Sequence, residues 1–329
     1  MEQRLLGKSG IATSVIGLDG RSLSGEYGPL DNVMAFTVLA EADRSGISFW
    51  NTADVYGDGL SETRAGAWNA FNPANRVIAT KVGRNNELYP GRHQYDRMRR
   101  SLEGSLQRMN VDCLELVQLH QLDTQMLQGD QVWRWLEDFR AEGLLRHYGV
   151  SVKTPEQGLL CLDKPGLTSI EIVFNLFRQE AAETLLPAAA KAGVGIIACQ
   201  PLASGLLADK LSVLSQFDAR DYRNPSNAES RAVLGLPYSG FSLPEGLKAV
   251  EQLKALNLAP HLALHQLALR WVLDHREVSS AVVGVSSYEQ LHDNAAVAAL
   301  PPLSWDIHQR LRELPQHIAL GSQDIAVPA

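Results

Sequence analysis

Scarcity is informative in this chain of 329 residues. Its three cysteines, Cys113, Cys161 and Cys199, are too few and too odd in number for a disulfide scaffold, and they point to a reduced, cytoplasmic protein. Positive charge is not in surplus either. Thirty Lys and Arg against 37 Asp and Glu leave a net charge of −7, which argues against binding nucleic acid or an anionic membrane, since both need a basic face. No apolar run approaches the ~18 residues of a membrane span, and Met-Glu-Gln-Arg at the start leads into too short an apolar stretch for a signal-peptide core. No Pro-, Ser- or Gly-rich segment divides the chain, so residues 1–329 read as one domain. Metal ligation lacks a signature: among nine His, only His261 and His265 stand at helical spacing, without a third ligand nearby.

What is present is a recurrence. Short apolar, β-branched runs alternate with helix-period segments, the pattern of parallel βα units. Eight such runs are Val15–Asp19, Ser48–Ala53, Val77–Lys81, Leu114–His120, His147–Ser151, Glu171–Leu176, Gly195–Gln200 and Ala281–Val285. Gly46, Gly143 and Gly193 precede three of them as helix stops. Eight units predict a closed (β/α)8 TIM barrel, for which about 250 residues plus extensions suffice. A doubly wound open sheet is the structural alternative, but its Gly-x-Gly-x-x-Gly turn is missing; Asp19-Gly20-Arg21 stands in its place. Leu5–Gly7 and Ile11–Val15, joined by Lys8-Ser9-Gly10, predict a hairpin within residues 1–15. A long loop over residues 202–243 carries Lys210, Arg220, Arg223 and Arg231, and reads either as a solvated loop or as a lid that clamps an anionic cofactor. A tail over residues 299–329 holds a short amphipathic segment around Trp305–Leu314.

Chemistry concentrates at three strand ends. Tyr56 follows Asn51-Thr52-Ala53-Asp54-Val55, Lys81 closes Ala79-Thr80, and His120 closes Gln118-Leu119. In a barrel, strand ends meet at one mouth, and a phenol beside an ammonium and an imidazole is a proton donor for a carbonyl. Each residue alone has a bland reading: Tyr56 as a rim packing residue, Lys81 as a surface charge, His120 as a satisfied core imidazole. Their joint spacing favours the acid/base reading. A buried Lys81 is expected to lower the Tyr56 pKa by favouring the phenolate.

These motifs resemble the aldo-keto reductases, whose pattern reads Asp-Thr-Ala-x-x-Tyr-Gly, then Thr-Lys, then a strand-closing His, and the resemblance runs from about Leu5 to Asn294. It implies a hairpin that closes the barrel bottom and a nicotinamide cofactor, NADP(H) with NAD(H) as the alternative. Ser151 in Gly149-Val150-Ser151 matches a carboxamide contact, with Val152 where the family has Asn. Glu171 aligns with a Gln that completes this contact, and Cys199 with an aromatic residue that stacks on the nicotinamide. Gln200, Pro201, Leu202, Ser204, Gly205 and Leu206 lie in a segment similar to the pyrophosphate turn, and Lys210 and Arg220 fall at phosphate positions. Gly284, Ser286, Gln290, Asp293 and Asn294 belong to a segment similar to the adenosine site. Gln290 stands where Arg often pairs with the 2′-phosphate, so selectivity for NADP(H) is expected to be modest.

One departure falls in the catalytic set: the leading Asp is Asn51. The amide can still accept a hydrogen bond from Lys81, but the exchange removes a negative charge and leaves Lys81 unpaired. Two outcomes remain open, a tuned acid/base or a degraded site. The function expected is oxidoreduction between a small carbonyl (aldehyde, ketone or sugar) and its alcohol, with Tyr56 as acid/base, Lys81 as modulator, His120 orienting the carbonyl and Asn51 as the altered fourth member. The rival is a catalytically impaired nicotinamide-binding regulatory or partner protein on the same scaffold. No nucleic-acid, membrane or metal partner is expected. Substrate identity and oligomeric state are not legible, because the substrate is set by loops: Tyr27 and its neighbours, Asn85–Arg92, Gln121–Gln131 and the lid.

Overall fold

A computed structural model describes residues 1–224, 226 and 238–314. Arg231, most of the far half of the lid and the end of the tail lie outside the described residues. A two-stranded hairpin, β1 (Gln3–Leu5) and β2 (Ala12–Ser14), precedes eight strands: β3 (Ile16–Asp19), β4 (Phe49–Asn51), β5 (Val77–Val82), β6 (Leu114–His120), β7 (Leu145–Ser151), β8 (Leu167–Val173), β9 (Gly195–Cys199) and β10 (Val278–Val283). All eight pair in parallel, and β10 closes the barrel by pairing with both β9 and β3. The expected eight βα units and barrel closure are therefore observed.

Two strands, β8 and β10, differ from the sequence reading by three residues or more at one or both ends. β8 starts at Leu167 and ends at Val173 rather than spanning Glu171–Leu176, and β10 starts at Val278 rather than Ala281. Both starts were masked by paired polar residues in the first half of the strand, Thr168 and Ser169 in one and Ser279 and Ser280 in the other, which interrupt the apolar signal. Glu171 is consequently a mid-strand residue, in register with Ser151 on β7 and Ile197 on β9.

The period-2 alternation sorts each strand into two environments. Outward side chains such as Leu18, Trp50, Ile78, Val117, Ile170 and Ile196 pack against the helix ring, where Leu39, Leu102, Phe139 and Val272 meet them. Inward side chains form two storeys. Phe49, Ala79, Leu116, Ile197 and Val282 make an apolar lower storey. Two residues further along three of these strands come Asn51, Lys81 and Gln118, and at the same level on the neighbouring β8 comes Glu171, all buried.

The hairpin closes the lower end. Leu6 and Ile11 belong to the same apolar cluster as the lower storey, and the Arg4 guanidinium donates to the backbone carbonyls of Leu273, His275 and Val278. Gly7 is obligatory here: its φ is +57°, and a Cβ would lie 2.3 Å from the Gly193 carbonyl oxygen. Gly193 ends the helix Leu185–Ala192 in the left-handed region at φ +76°, so the chain can turn directly into β9.

Candidate active site

The upper storey is polar because β4, β5, β6 and β8 each bring a polar side chain to the same level. Lys81, fully buried, donates from Nζ to the Thr52 carbonyl at 3.0 Å and lies 3.4 Å from Glu171 Oε2. Asn51 Nδ2 donates to the same Oε2 at 2.9 Å, and Gln118 Nε2 donates both to Oε2 and to Asn51 Oδ1, each at 2.9 Å. Four strands are thus tied through one carboxylate. The expected hydrogen bond from Lys81 to Asn51 is not formed, and Lys81 is not unpaired: the Asn51 amide spends its donor on Glu171, which supplies the negative charge that position 51 lacks.

Tyr56 sits above this network in the turn after β4, 6% exposed. Lys81 Nζ lies 5.2 Å from its ring centre, and the His120 ring stands nearly perpendicular with 6.0 Å between centroids. The three predicted residues therefore converge at the C-terminal mouth. Arg21, not anticipated at the site, covers the other side of the phenol with its guanidinium carbon 4.2 Å from the ring centre, and pairs with Glu26. Its signal was available, since it follows Asp19 at the end of β3, the same strand-end position that marked the others.

The electrostatics follow from burial in each case. Burial raises the Tyr56 phenol above its ordinary value, and the pull of Lys81 and then Arg21 in the opposite direction does not overcome it. The expected net lowering by Lys81 is therefore reversed, because desolvation of a phenolate outweighs one ammonium that is itself balanced by Glu171. Burial also penalises the Lys81 ammonium, but the Glu171 carboxylate more than offsets it and the Lys81 pKa stands above the ordinary lysine value. His120 is held well below the ordinary imidazole range by burial, then by Lys81 and Arg84. At neutral pH the mouth contains a protonated phenol, an ammonium and a neutral imidazole.

Beside it opens a cleft of about 550 Å³ between the ends of β3, β9 and β10. Gln200, Pro201, Leu202, Ser204, Gly205, Lys210, Gly284, Ser286, Gln290, Asp293 and Asn294 all line it. Asp19 connects cleft to mouth: it lines the cleft and pairs in register with Asn51. Ser151 and Cys199 lie at the ends of β7 and β9, on the mouth rather than in the cleft, and burial followed by Glu171 raises the Cys199 thiol well above its usual value. Two further sequence-predicted cofactor residues are brought neither to the mouth nor to the cleft. Leu206 is a core side chain packed over Gly246, and Arg220, with a side chain 66% exposed, pairs with Asp218. Arg223 lines the cleft instead, held by Asp221 at 2.7 Å and stacked between Phe217 and Tyr27. Tyr27 reaches across from the β3 loop, donating to Asp19 Oδ2 at 2.8 Å. Among the described residues, no group of three or more His, Cys, Asp or Glu is placed to hold a metal ion, and no helix is long and apolar enough to cross a membrane.

Comparison with known proteins agrees with the barrel architecture. The sequence profile described as the Aldo/keto reductase family matches residues 15–315. Among curated proteins the chain is similar to L-galactose dehydrogenase of Arabidopsis thaliana, 27% identical with 93% of this chain and 91% of that protein covered. It is also similar to pyridoxal 4-dehydrogenase of Microbacterium luteolum, 25% identical with 89% and 92% covered. Among solved structures, the glycerol dehydrogenase of Gluconobacter oxydans superposes with a TM-score of 0.77 at 25% identity, covering 99% of this chain and 98% of that one. The holo form of an aldo-keto reductase from Bacillus halodurans shares the fold at a TM-score of 0.77 and 24% identity, with 95% and 96% covered.

Proposed function

The chain belongs to the aldo/keto reductase family, and we propose that it interconverts a small aldehyde, ketone or sugar and the corresponding alcohol, with NADP(H) or NAD(H) as hydride partner and Tyr56 as general acid and base. The observation that carries this reading is the convergence of Tyr56, Lys81 and His120 at the mouth of the barrel, beside a cleft whose residues suit a dinucleotide. That cleft has the volume usual for a cofactor site. Lys210 and Arg223 offer positive charge to phosphates, and the helix Tyr288–Ala296 begins at its edge, where an N-terminus favours an anion. Gln290 offers no charge to a 2′-phosphate, and its Oε1 already accepts from the Ser286 N–H, so discrimination between the two nucleotides rests on Lys210 and Arg223.

When bound, the nicotinamide supplies or accepts the hydride. The residues do the rest. In reduction, Tyr56 gives its phenolic proton to the carbonyl oxygen as negative charge develops there. His120, uncharged, donates one N–H to the same oxygen and orients it. Lys81 stabilises the phenolate that remains. Oxidation requires Tyr56 already ionised, and because burial raises its pKa, reduction is favoured at neutral pH and oxidation gains as pH rises.

Relatives named for galactose, pyridoxal and glycerol motivate a panel of sugars, aldehydes and polyols. The test is turnover of that panel with both nucleotides, read at the nicotinamide absorbance. Turnover of at least one pair is expected. Calorimetric binding of a nucleotide with no turnover anywhere in the panel would contradict the reading and favour a regulatory, cofactor-binding protein.

A further inference from the structure

We propose that Glu171, reaching inward from β8, is the counter-ion that holds Lys81 charged and in place beneath Tyr56, a duty that the neutral Asn51 cannot perform. The proposal rests on the oxidoreductase reading for its consequence but on the barrel interior for its content. A fully buried ammonium without a carboxylate is costly and tends to lose its proton. Residue 51 is next to Lys81 in the sheet order but carries an amide. Among the described residues, Glu171 is the carboxylate within ion-pair distance, at 3.4 Å.

The hydrogen bonds show that the two residues form a matched set. Asn51 donates to Glu171 Oε2 at 2.9 Å. With an acid at both positions, two carboxylates would stand at hydrogen-bond distance and one would have to take up a proton. With an amide at both, Lys81 would have no countercharge. One acid and one amide are required, and this chain has the acid on β8. The opposite placement, acid on β4 and amide on β8, would preserve the net charge and reverse donor and acceptor in the same bond. Gln118 Nε2 donates to both positions and can serve either placement. All three contacts converge on Oε2, and Oε1 accepts no hydrogen bond from a described residue, so Glu171 can brace Lys81 with one oxygen and keep the other as an acceptor.

Glu171 is therefore a positioning residue. Its test compares Glu171→Gln with the double variant Asn51→Asp/Glu171→Gln, each with and without Tyr56→Phe. The tyrosinate absorbance that disappears with Tyr56→Phe isolates the titration of Tyr56 in the nucleotide-free protein. Glu171→Gln deprives Lys81 of its countercharge, so the buried ammonium gives up its proton and with it its pull on the phenolate, and this titration, with the alkaline limb of the reduction pH–rate profile, should move to higher pH by about one unit. The double variant should return both to their wild-type positions. An unmoved titration in Glu171→Gln, or a double variant that stays displaced, would overturn the proposal. Should Glu171→Gln alone fail to fold, the double variant decides: wild-type titration supports the exchange, and failure to fold refutes it. A wild-type protein that turns over no carbonyl, but whose Tyr56 responds to Glu171 as described, would remove the oxidoreductase reading and leave this pairing standing.

Discussion

Buried charge decides behaviour at the scale of single side chains, and two acids near Tyr56 show how differently it is handled. Glu171 is satisfied by an ammonium and two amides. Asp54, two residues before Tyr56, accepts from Asn85 and Ser101 through Oδ2 while Oδ1 is buried without a partner. Burial, then the repulsion of Glu62, pushes its pKa up to about 7. In the unfolded chain the value is about 4, so between these limits the folded protein binds the extra proton. The contribution of Asp54 to stability is fully present below about pH 4 and is lost as pH rises through 7, by up to about 4 kcal/mol. Asp54→Asn cannot titrate. Thermal melts at pH 5 to 8 should therefore show the wild type losing ground to the variant as pH rises, whatever the offset between them at pH 5; parallel curves would mean that Asp54 stays ionised in the fold.

At the scale of elements, strand ends were legible and the choice between the lid arginines was not. Tyr56, Lys81 and His120 could be read because a strand end in a barrel has only one direction in which to present a side chain. Glu171 was legible as a residue but not in its role: polar Thr168 and Ser169 hid the start of β8, and a residue taken as first in its strand cannot be assigned an inward alternation. In the lid, the family resemblance brought out Arg220, whereas the local turn after Asp218 carries that guanidinium outward and brings Arg223 to the cleft. No periodicity governs an irregular loop, so this order could not be derived. The consequence is measurable by calorimetry with NADP(H) and NAD(H). Arg223→Ala should weaken binding roughly tenfold or more, the scale of a charged hydrogen bond of about 1.5–3 kcal/mol, and Arg220→Ala should change it by less than about twofold. A larger loss from Arg220→Ala than from Arg223→Ala would restore the sequence-based assignment.

For the molecule as a whole, the architecture separates stability from chemistry along the barrel axis. The hairpin and the apolar storey of Phe49, Ala79, Leu116, Ile197 and Val282 close one end. The polar storey of Asn51, Lys81, Gln118 and Glu171 supports Tyr56 and His120 at the other, where active sites of this barrel type lie. The eightfold alternation of strands and helices made the frame readable from sequence, while the pairing across the interior depended on closure, which brings β4 and β8 to a shared carboxylate although 120 residues separate Asn51 from Glu171. In the proposed mechanism all of this machinery serves one proton held on one phenol. The most direct measurement is therefore kcat and nucleotide Kd for Tyr56→Phe against wild type, on whichever carbonyl the panel identifies. Removal of the hydroxyl should lower kcat by ~10² or more, the usual scale for loss of a general acid, with nucleotide affinity nearly unchanged; wild-type turnover in Tyr56→Phe would contradict the account.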